Sequence, residues 1–379
     1  MTDIPATHLQ LLSNLKSNGD LEITLANVPV PEPKDDEILV RVQAAPINPS
    51  DLGLLVAAAT PETFAQAGTA DSPAIHGKIP ERFVSAFAAR LDQPMPVGNE
   101  GAGVVVKAGA APEAQALLGK TVAILGGAMY SQYRAVKVRD ALPLPADATA
   151  ADGASCFVNP LTSQAMVETM RTEGHSALVH TAAASNLGQM LQKICLKDNV
   201  PLVNIVRSEA QAKVLKDIGA KYVVDSSKPT FMQDLIAAIT ETGATIAFDA
   251  IGGGRMASNI LVAMEAAAVT RMTEYSRYGS NTFKQVYIYG RLDTSPTEIT
   301  GGGLGFAWSL SGFLLTPFLQ KAGMETVMRL RKRVVDELKT TFASHYTKTI
   351  SLKQALDLET LKAYNAKQTG EKYLIDPSL

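Results

Sequence analysis

Apolar residues follow two rhythms along this chain, and the change comes near residue 160. Upstream, "LEITLANVPVPEP" alternates and then breaks at prolines, while "EILVRVQAAPIN" is apolar and β-branched; residues 20–47 therefore read as strands. "VGNEGAGVVVKAG" (97–109) and "GKTVAILGGAMYSQYRAVK" (119–137) are glycine-rich and β-branched, which predicts a small antiparallel, barrel-like domain. Between them, "TPETFAQAG" offers Thr60 as N-cap, Pro61 as first helical residue and Gly68 as stop. "IPERFVSAFAARL" places Phe83, Val84, Phe87, Ala88 and Leu91 on one helical face, so 54–96 is expected to carry two short helices.

Downstream, "ALVHTA", "VPLVNIV", "AKYVVD" and "TIAFDAIGG" are short apolar strands. Helical segments near 188–197, 209–217 and 230–241 separate them, and this alternation implies a parallel sheet with right-handed crossovers. Near the C-terminus, "METVMRLRKRVVDELKTTFAS" reads as an amphipathic helix with Met324, Val327, Leu330, Val334 and Leu338 near one stripe.

The 379 residues suffice for two or three domains, and 46% hydrophobic with 19% charged content fits a well-buried globular enzyme rather than a disordered chain. A net charge of −2 gives no reason to expect nucleic acid or an anionic membrane as partner. Two cysteines, Cys156 and Cys195, are too few for a disulfide framework and favour a reducing, cytoplasmic setting. The first residues show no basic region followed by an apolar run, so no secretory signal is expected. Residues 299–320, "ITGGGLGFAWSLSGFLLTPFLQ", carry no charge and approach the length of a membrane span. Their glycines, proline and hydroxyls suit a buried helix or a subunit interface better.

"HTAAASNLGQ" (180–189) joins the first apolar strand to its helix. In a G-x-G-x-x-G fingerprint the three glycines allow a tight turn, close approach of a pyrophosphate, and helix–strand packing. Ala183 and Ser185 replace the first two, and Gly188 keeps the third. The Ser185 hydroxyl can itself donate to a phosphate oxygen, and Asn186 tolerates a left-handed backbone. The helix N-terminus still offers N–H groups and a positive dipole end. Alone, the loop fits an ordinary strand-to-helix turn equally well. The next strand adds weight: about 20 residues on, where an acid would hold an NAD ribose, stand Arg207 and Ser208. An arginine and a hydroxyl suit the 2′-phosphate of NADP; a solvated surface arginine is the plainer alternative.

Five motifs occur in order: "AAPINPSDL" (44–52), "PMPVGNEGAGVVVKAG" (94–109), "GAMYSQYRAV" (127–136), "NPLTSQAMVE" (159–168) and "HTAAASNLGQ". Together they resemble the medium-chain dehydrogenase/reductase superfamily, in its zinc-independent NADPH:quinone oxidoreductase branch. The resemblance runs from about residue 20 to the C-terminus, apart from 54–96. It implies an α/β fold: a Rossmann-type doubly wound parallel sheet plus a GroES-like, partly open β-barrel catalytic domain. The catalytic domain would be split into 1–158 and 326–379, with the insertion at 54–96, and the NADP-binding domain would be 159–325. The resemblance also implies a homodimer and hydride transfer from NADPH to a small-molecule acceptor, a quinone or enone. By this likeness Asn48 and the strand end Tyr289-Gly290 lie near the nicotinamide and Thr162 contacts its side, while Ser185, Asn186 and Leu187 meet the pyrophosphate.

Three departures from that pattern matter. Asn48 and Gly98-Asn99-Glu100 stand where zinc-dependent relatives carry a cysteine and Gly-His-Glu, and no four-cysteine lobe exists. Zinc needs three protein ligands at a catalytic site and four at a structural one, so no metal is expected. The five histidines show no ligand spacing. Gly53 stands near where relatives place a tyrosine, which enoyl-thioester reductases use as proton donor. The next tyrosine in this chain is Tyr130, which joins Asn48 as a catalytic candidate; otherwise the acid lies elsewhere or is water. The third departure is the length of 54–96, which makes either a wall or lid of the acceptor pocket or a surface insertion without chemical contact. A 2-enoyl thioester reductase and a non-catalytic NADPH-binding protein are the competing readings.

Overall fold

The computed structural model describes residues 4–379. It comprises two compact units: the chain through Val158 together with Arg333–Leu379, and Asn159–Lys332. The first unit contains β1 (Thr7–Leu15), β2 (Asp20–Pro29), β3 (Glu37–Pro46), β4 (Ala65–Gly68), β5 (Pro73–Lys78), β6 (Met95–Pro96), β7 (Glu100–Ala108), β8 (Thr121–Leu125), β9 (Tyr133–Lys137) and β10 (Ala141–Pro143). The second contains β11 (Leu178–His180), β12 (Leu202–Val206), β13 (Tyr222–Asp225), β14 (Ile246–Asp249), β15 (Lys284–Ile288) and β16 (Trp308–Gly312). The chain then returns to the first unit for β17 (Lys348–Ile350) and β18 (Tyr373–Ile375).

The first unit is built from two largely antiparallel sheets, ordered β4-β5-β2-β1-β6 and β10-β8-β7-β3-β18-β17, with β9 also paired to β3. Period-two alternation turns Leu11, Leu15, Leu21 and Ile23 of one sheet and Ile38, Val40, Val42, Val122 and Ile124 of the other into a single core. Each such side chain contributes about 1.5–3 kcal/mol by leaving water. The Leu11 N–H donates to the Tyr130 carbonyl at 2.9 Å, tying β1 to the segment that leads from β8 into β9. Strand β1 lies upstream of the region where strands were expected. Its alternation is obscured by Ser13, a polar residue at a fully buried position, whose hydroxyl donates to the Leu55 carbonyl at 2.8 Å.

Segment 54–96 differs from expectation. Pro61–Thr63 forms one 3₁₀ turn, not a helix, and the chain then enters β4, which pairs with β5 and through it with β2. Phe64 is buried beside Gly77, and the strand pairing outweighs the local capping signal at Thr60-Pro61. The second expected helix is the short Glu81–Val84 followed by a 3₁₀ stretch, Ser85–Arg90, with Phe87 off helical geometry. Val84, Phe87 and Leu91 pack on the core, whereas Phe83 and Ala88 are exposed. Helix Pro49–Leu55 precedes this segment, and the buried Arg90 guanidinium donates to the Leu54 carbonyl at 2.9 Å near that helix's end.

The second unit is a six-stranded parallel sheet ordered β13-β12-β11-β14-β15-β16. The order reverses between β11 and β14, creating a switch point at their carboxyl ends. Helices Asn186–Lys197, Glu209–Asp217, Phe231–Thr242 and Met256–Val269 connect the strands. Leu187, Met190, Leu191 and Ile194 form the buried face of the first of these. The uncharged run 299–320 is not a buried helix: its middle is the edge strand β16, approached through glycines 301–303 and 305, with Phe306 81% exposed. Among the described residues, no helix is long and apolar enough to cross a membrane. Helix Leu315–Asp336 is interrupted at Gly323 (φ 80°). That break restarts the helix at Met324, which is exposed, while Leu330, Val334 and, past the helix end, Leu338 are buried.

Candidate active site

Strand ends β11, β12, β14 and β15 bring together most of the cofactor candidates in the second unit. After β11 the backbone turns at Ala182, which takes the left-handed conformation (φ 50°) expected of Asn186; Asn186 instead opens the helix. Ser185 is the N-cap, and its oxygen accepts from the Gly188 N–H at 3.1 Å. A hydroxyl that accepts through a lone pair still has its proton to donate. A Cβ on Gly188 would lie 2.1 Å from the Ala183 carbonyl oxygen, so the helix approaches the loop as closely as only glycine permits. Gly188→Ala is accordingly expected to cost about 1–3 kcal/mol; an unchanged unfolding transition in calorimetry would show that the helix can shift outward freely.

Arg207 follows β12 directly and is exposed, and its guanidinium has no carboxylate partner among the described residues. Ser208 caps the next helix, its oxygen accepting from the Gln211 N–H at 3.3 Å. Beyond β14, the buried Asp249 carboxylate accepts from the Thr181 hydroxyl (2.6 Å) and from the N–H groups of Ile251 (2.9 Å) and Gly252 (3.1 Å). It thereby fixes the two strand-end loops that flank the switch point. Beyond β15, the Tyr289 hydroxyl is 2.7 Å from His180 Nε2, with the rings stacked. Burial lowers the His180 pKa to about 3 and pushes the Tyr289 phenol well up, so the pair is neutral over the working pH range. Gly290 packs against Ala250, where a Cβ would be 2.7 Å from the carbonyl oxygen. Thr162 is apart from these strand ends in the chain, buried on helix Val158–Thr172.

The first unit holds the catalytic candidates. Asn48 caps helix Pro49–Leu55 and is 1% exposed; its Nδ2 donates to Glu100 Oε1 at 2.9 Å, while its Oδ1 accepts no hydrogen bond. Glu100 Oε2 accepts from the N–H groups of Phe157 (2.8 Å) and Val158 (2.9 Å). Asp51 accepts from the N–H groups of Asn48 and Asn99, both at 2.8 Å. Burial raises the Asp51 carboxyl to about 7, against those two N–H donors, and burial also raises Glu100. Tyr130 is fully buried and donates to the Pro46 carbonyl at 3.1 Å, so its phenol serves the interior of this unit. Gly53 has open space where a side chain would begin. Burial raises the Cys156 thiol far above its usual range, and Cys195 is likewise buried. Among the described residues, no three His, Cys, Asp or Glu side chains cluster as metal ligands would.

Sequence reasoning missed Glu100 as Asn48's partner, the Thr181–Asp249 link and the His180–Tyr289 pair. An acid inside the β-branched run "GNEGAGVVV" was the available signal for the first.

No family model matches the chain. It is 24% identical over 324 residues to the mitochondrial enoyl-[acyl-carrier-protein] reductase of Xenopus tropicalis, covering 83% of this chain and 79% of that one. It is 25% identical over 337 residues to prostaglandin reductase-3 of Mus musculus, covering 87% and 79%. Among solved structures it resembles a Mesorhizobium loti protein assigned as an NADPH:quinone reductase, with a TM-score of 0.73, 26% identity, and 99% and 100% of the two chains covered. It also resembles the Escherichia coli quinone oxidoreductase complexed with NADPH, with a TM-score of 0.67, 17% identity, and 98% and 100% covered. These likenesses extend over nearly all of the chain, through the two-sheet unit and the parallel sheet with its switch point alike. In sequence and in fold the chain is similar to oxidoreductases of the medium-chain dehydrogenase/reductase superfamily.

Proposed function

We propose that this protein is a zinc-independent, NADPH-dependent oxidoreductase that delivers a hydride to a quinone or a similar conjugated carbonyl compound. The observation that carries the cofactor choice is Arg207: an exposed guanidinium without a carboxylate partner, beside the Ser208 hydroxyl, at the end of the strand next to the loop 181–188. A guanidinium recognises a phosphate through paired N–H donors, and an acid at this place would instead favour the unphosphorylated ribose. The residues present fit the group: the Ser185 hydroxyl and the N-terminus of helix Asn186–Lys197 for the pyrophosphate, and Arg207 and Ser208 for the 2′-phosphate. When bound, NADPH supplies the hydride.

The chain's own residues then position and polarise. Gly290 and the Asp249-anchored loop keep the β14 and β15 strand ends open and fixed, and Asn48 offers an amide held by Glu100. The overall reaction balances as quinone plus NADPH plus a proton giving hydroquinone plus NADP⁺. A hydroquinone anion is stabilised enough for water to protonate it, which matches a site where Gly53 offers no hydroxyl. The same absence argues against the enoyl-thioester reading, which the similarity to the Xenopus reductase favours. A comparison of NADPH oxidation with small quinones, enones and an enoyl-CoA separates these readings. Turnover of quinones and enones is expected. Turnover of the thioester alone would replace the acceptor assignment, and tight NADPH binding with no turnover of any acceptor would favour a non-catalytic role.

A further inference from the structure

His180 ends β11, and Tyr289 follows β15 by one residue, its N–H donating to the Asp249 carbonyl at 2.9 Å. Both strands pair with β14: His180 lies opposite Phe248, and Phe248 opposite Tyr287. Phe248 and Tyr287 stack, and alternation puts Tyr289 on the same face. The 2.7 Å contact between His180 Nε2 and the Tyr289 hydroxyl therefore crosses β14 at the carboxyl end of the sheet. His180 is fully buried and Tyr289 half-buried.

His180 Nδ1 is buried without a hydrogen bond. A neutral imidazole carries one N–H and one bare nitrogen. Orphaned N–H donors are rarer in protein interiors than orphaned acceptors, which puts the proton on Nε2 and makes that nitrogen the donor to the Tyr289 oxygen. The phenol then keeps its own proton, and burial together with the Asp249 charge holds that proton in place. The hydroxyl makes no second hydrogen bond among the described residues. A fixed O–H donor thus stands at the switch point. We propose that Tyr289, oriented by His180, is a positioning residue for the nicotinamide of the cofactor, its hydroxyl donating a hydrogen bond to the carboxamide oxygen. This rests on the NADPH reading given above. In a doubly wound sheet a dinucleotide lies across the switch point. With the 2′-phosphate assigned to Arg207 after β12 and the pyrophosphate to the loop after β11, the nicotinamide half falls to the next strand ends, β14 and β15. An amide carbonyl there is oriented best by a neutral donor held still, and Tyr289 is held by ring stacking as well as by its hydrogen bond.

Tyr289→Phe removes the hydroxyl and leaves the ring. The probes are NADPH and 2′-phospho-ADP-ribose, which has the same phosphates and adenosine but no nicotinamide. In Y289F, NADPH is expected to bind about 3- to 10-fold more weakly, the worth of one neutral hydrogen bond, while 2′-phospho-ADP-ribose binds as before. His180→Gln, whose amide can still donate in place of Nε2, is expected to keep NADPH affinity, and His180→Leu to lose about as much as Y289F. Nitrogen NMR of isotope-labelled histidine in the unaltered protein reads the tautomer without any ligand, the His180 signals being those missing from H180Q. A proton on Nε2 is expected. A proton on Nδ1 would mean that the Tyr289 proton is spent on His180, and overturns the proposal. A Y289F protein that binds NADPH like the unaltered one, or that loses both ligands alike, also overturns it and leaves the cofactor assignment intact. Unaltered protein that binds neither ligand overturns the NADPH reading and the positioning role together.

Discussion

An Arg207→Ala variant should bind NADPH about 10- to 100-fold more weakly while its affinity for NADH stays the same. The size follows from losing charge-assisted hydrogen bonds worth about 1.5–3 kcal/mol, where 1.4 kcal/mol is tenfold. Specificity of the effect is the informative part. Arg207 is exposed, has no carboxylate partner among the described residues and lies outside the core, so its removal leaves the sheet undisturbed. Only a ligand carrying the 2′-phosphate should register the change. Fluorescence titration of both cofactors against both proteins checks this. Equal losses for NADH and NADPH would assign Arg207 a general electrostatic role, and no loss for either would make it a surface arginine.

Lys284→Met should lower the stability of the protein by about 3–5 kcal/mol, because it strands a buried carboxylate. Lys284 is fully buried and Glu265 is 4% exposed; the Lys284 ammonium donates to Glu265 and also to the Thr282 carbonyl at 2.9 Å. Glu265 further accepts from the Ser280 N–H at 2.7 Å and hydroxyl at 2.6 Å. Burial raises the Glu265 carboxyl, but Lys284 and Ser280 together outweigh it and hold the group below its ordinary range. A Cβ on Gly279 or Gly305 would come within 2.3 and 2.7 Å of this carboxylate, so two loops close directly over the pair. Without the lysine those loops are expected to loosen first. Urea denaturation measures the loss, and pairing the change with Glu265→Leu should recover part of it. A loss below about 1 kcal/mol would mean that water reaches the site and replaces the ammonium.

The central strands of the second unit, β11, β12 and β14, were legible in the sequence because they are buried on both faces. Runs such as "LVNIV", apolar but for the buried and hydrogen-bonded Asn204, are bounded by turns, and little else fits them. Gly188 was legible for a related reason: its role is local, set by residues five positions away in the same loop. What failed depended on distant partners. "TPETFAQAG" carries a real N-terminal signal, yet β5 offers a hydrogen-bonded edge that local propensity does not foresee. Strand β1 was hidden by Ser13, whose partner at Leu55 makes a polar residue acceptable in the core. Asn48 was visible from its motif, but its partner Glu100 reaches it from β7, and the pair acquires meaning only when burial brings the two together. The uncharged run 299–320 misled because a glycine loop and an edge strand lack charge as readily as a helix does.

The loop 181–188 and the Arg207-Ser208 strand end together make up the proposed NADPH site. The most direct measurement is a titration of the unaltered protein with NADPH and NADH, following cofactor fluorescence. Saturable NADPH binding at least tenfold tighter than that of NADH is expected, the least that one lost charge-assisted contact implies. Absence of binding to either cofactor would mean that the Ala183-Ser185 loop does not hold a pyrophosphate, and would contradict the assignment.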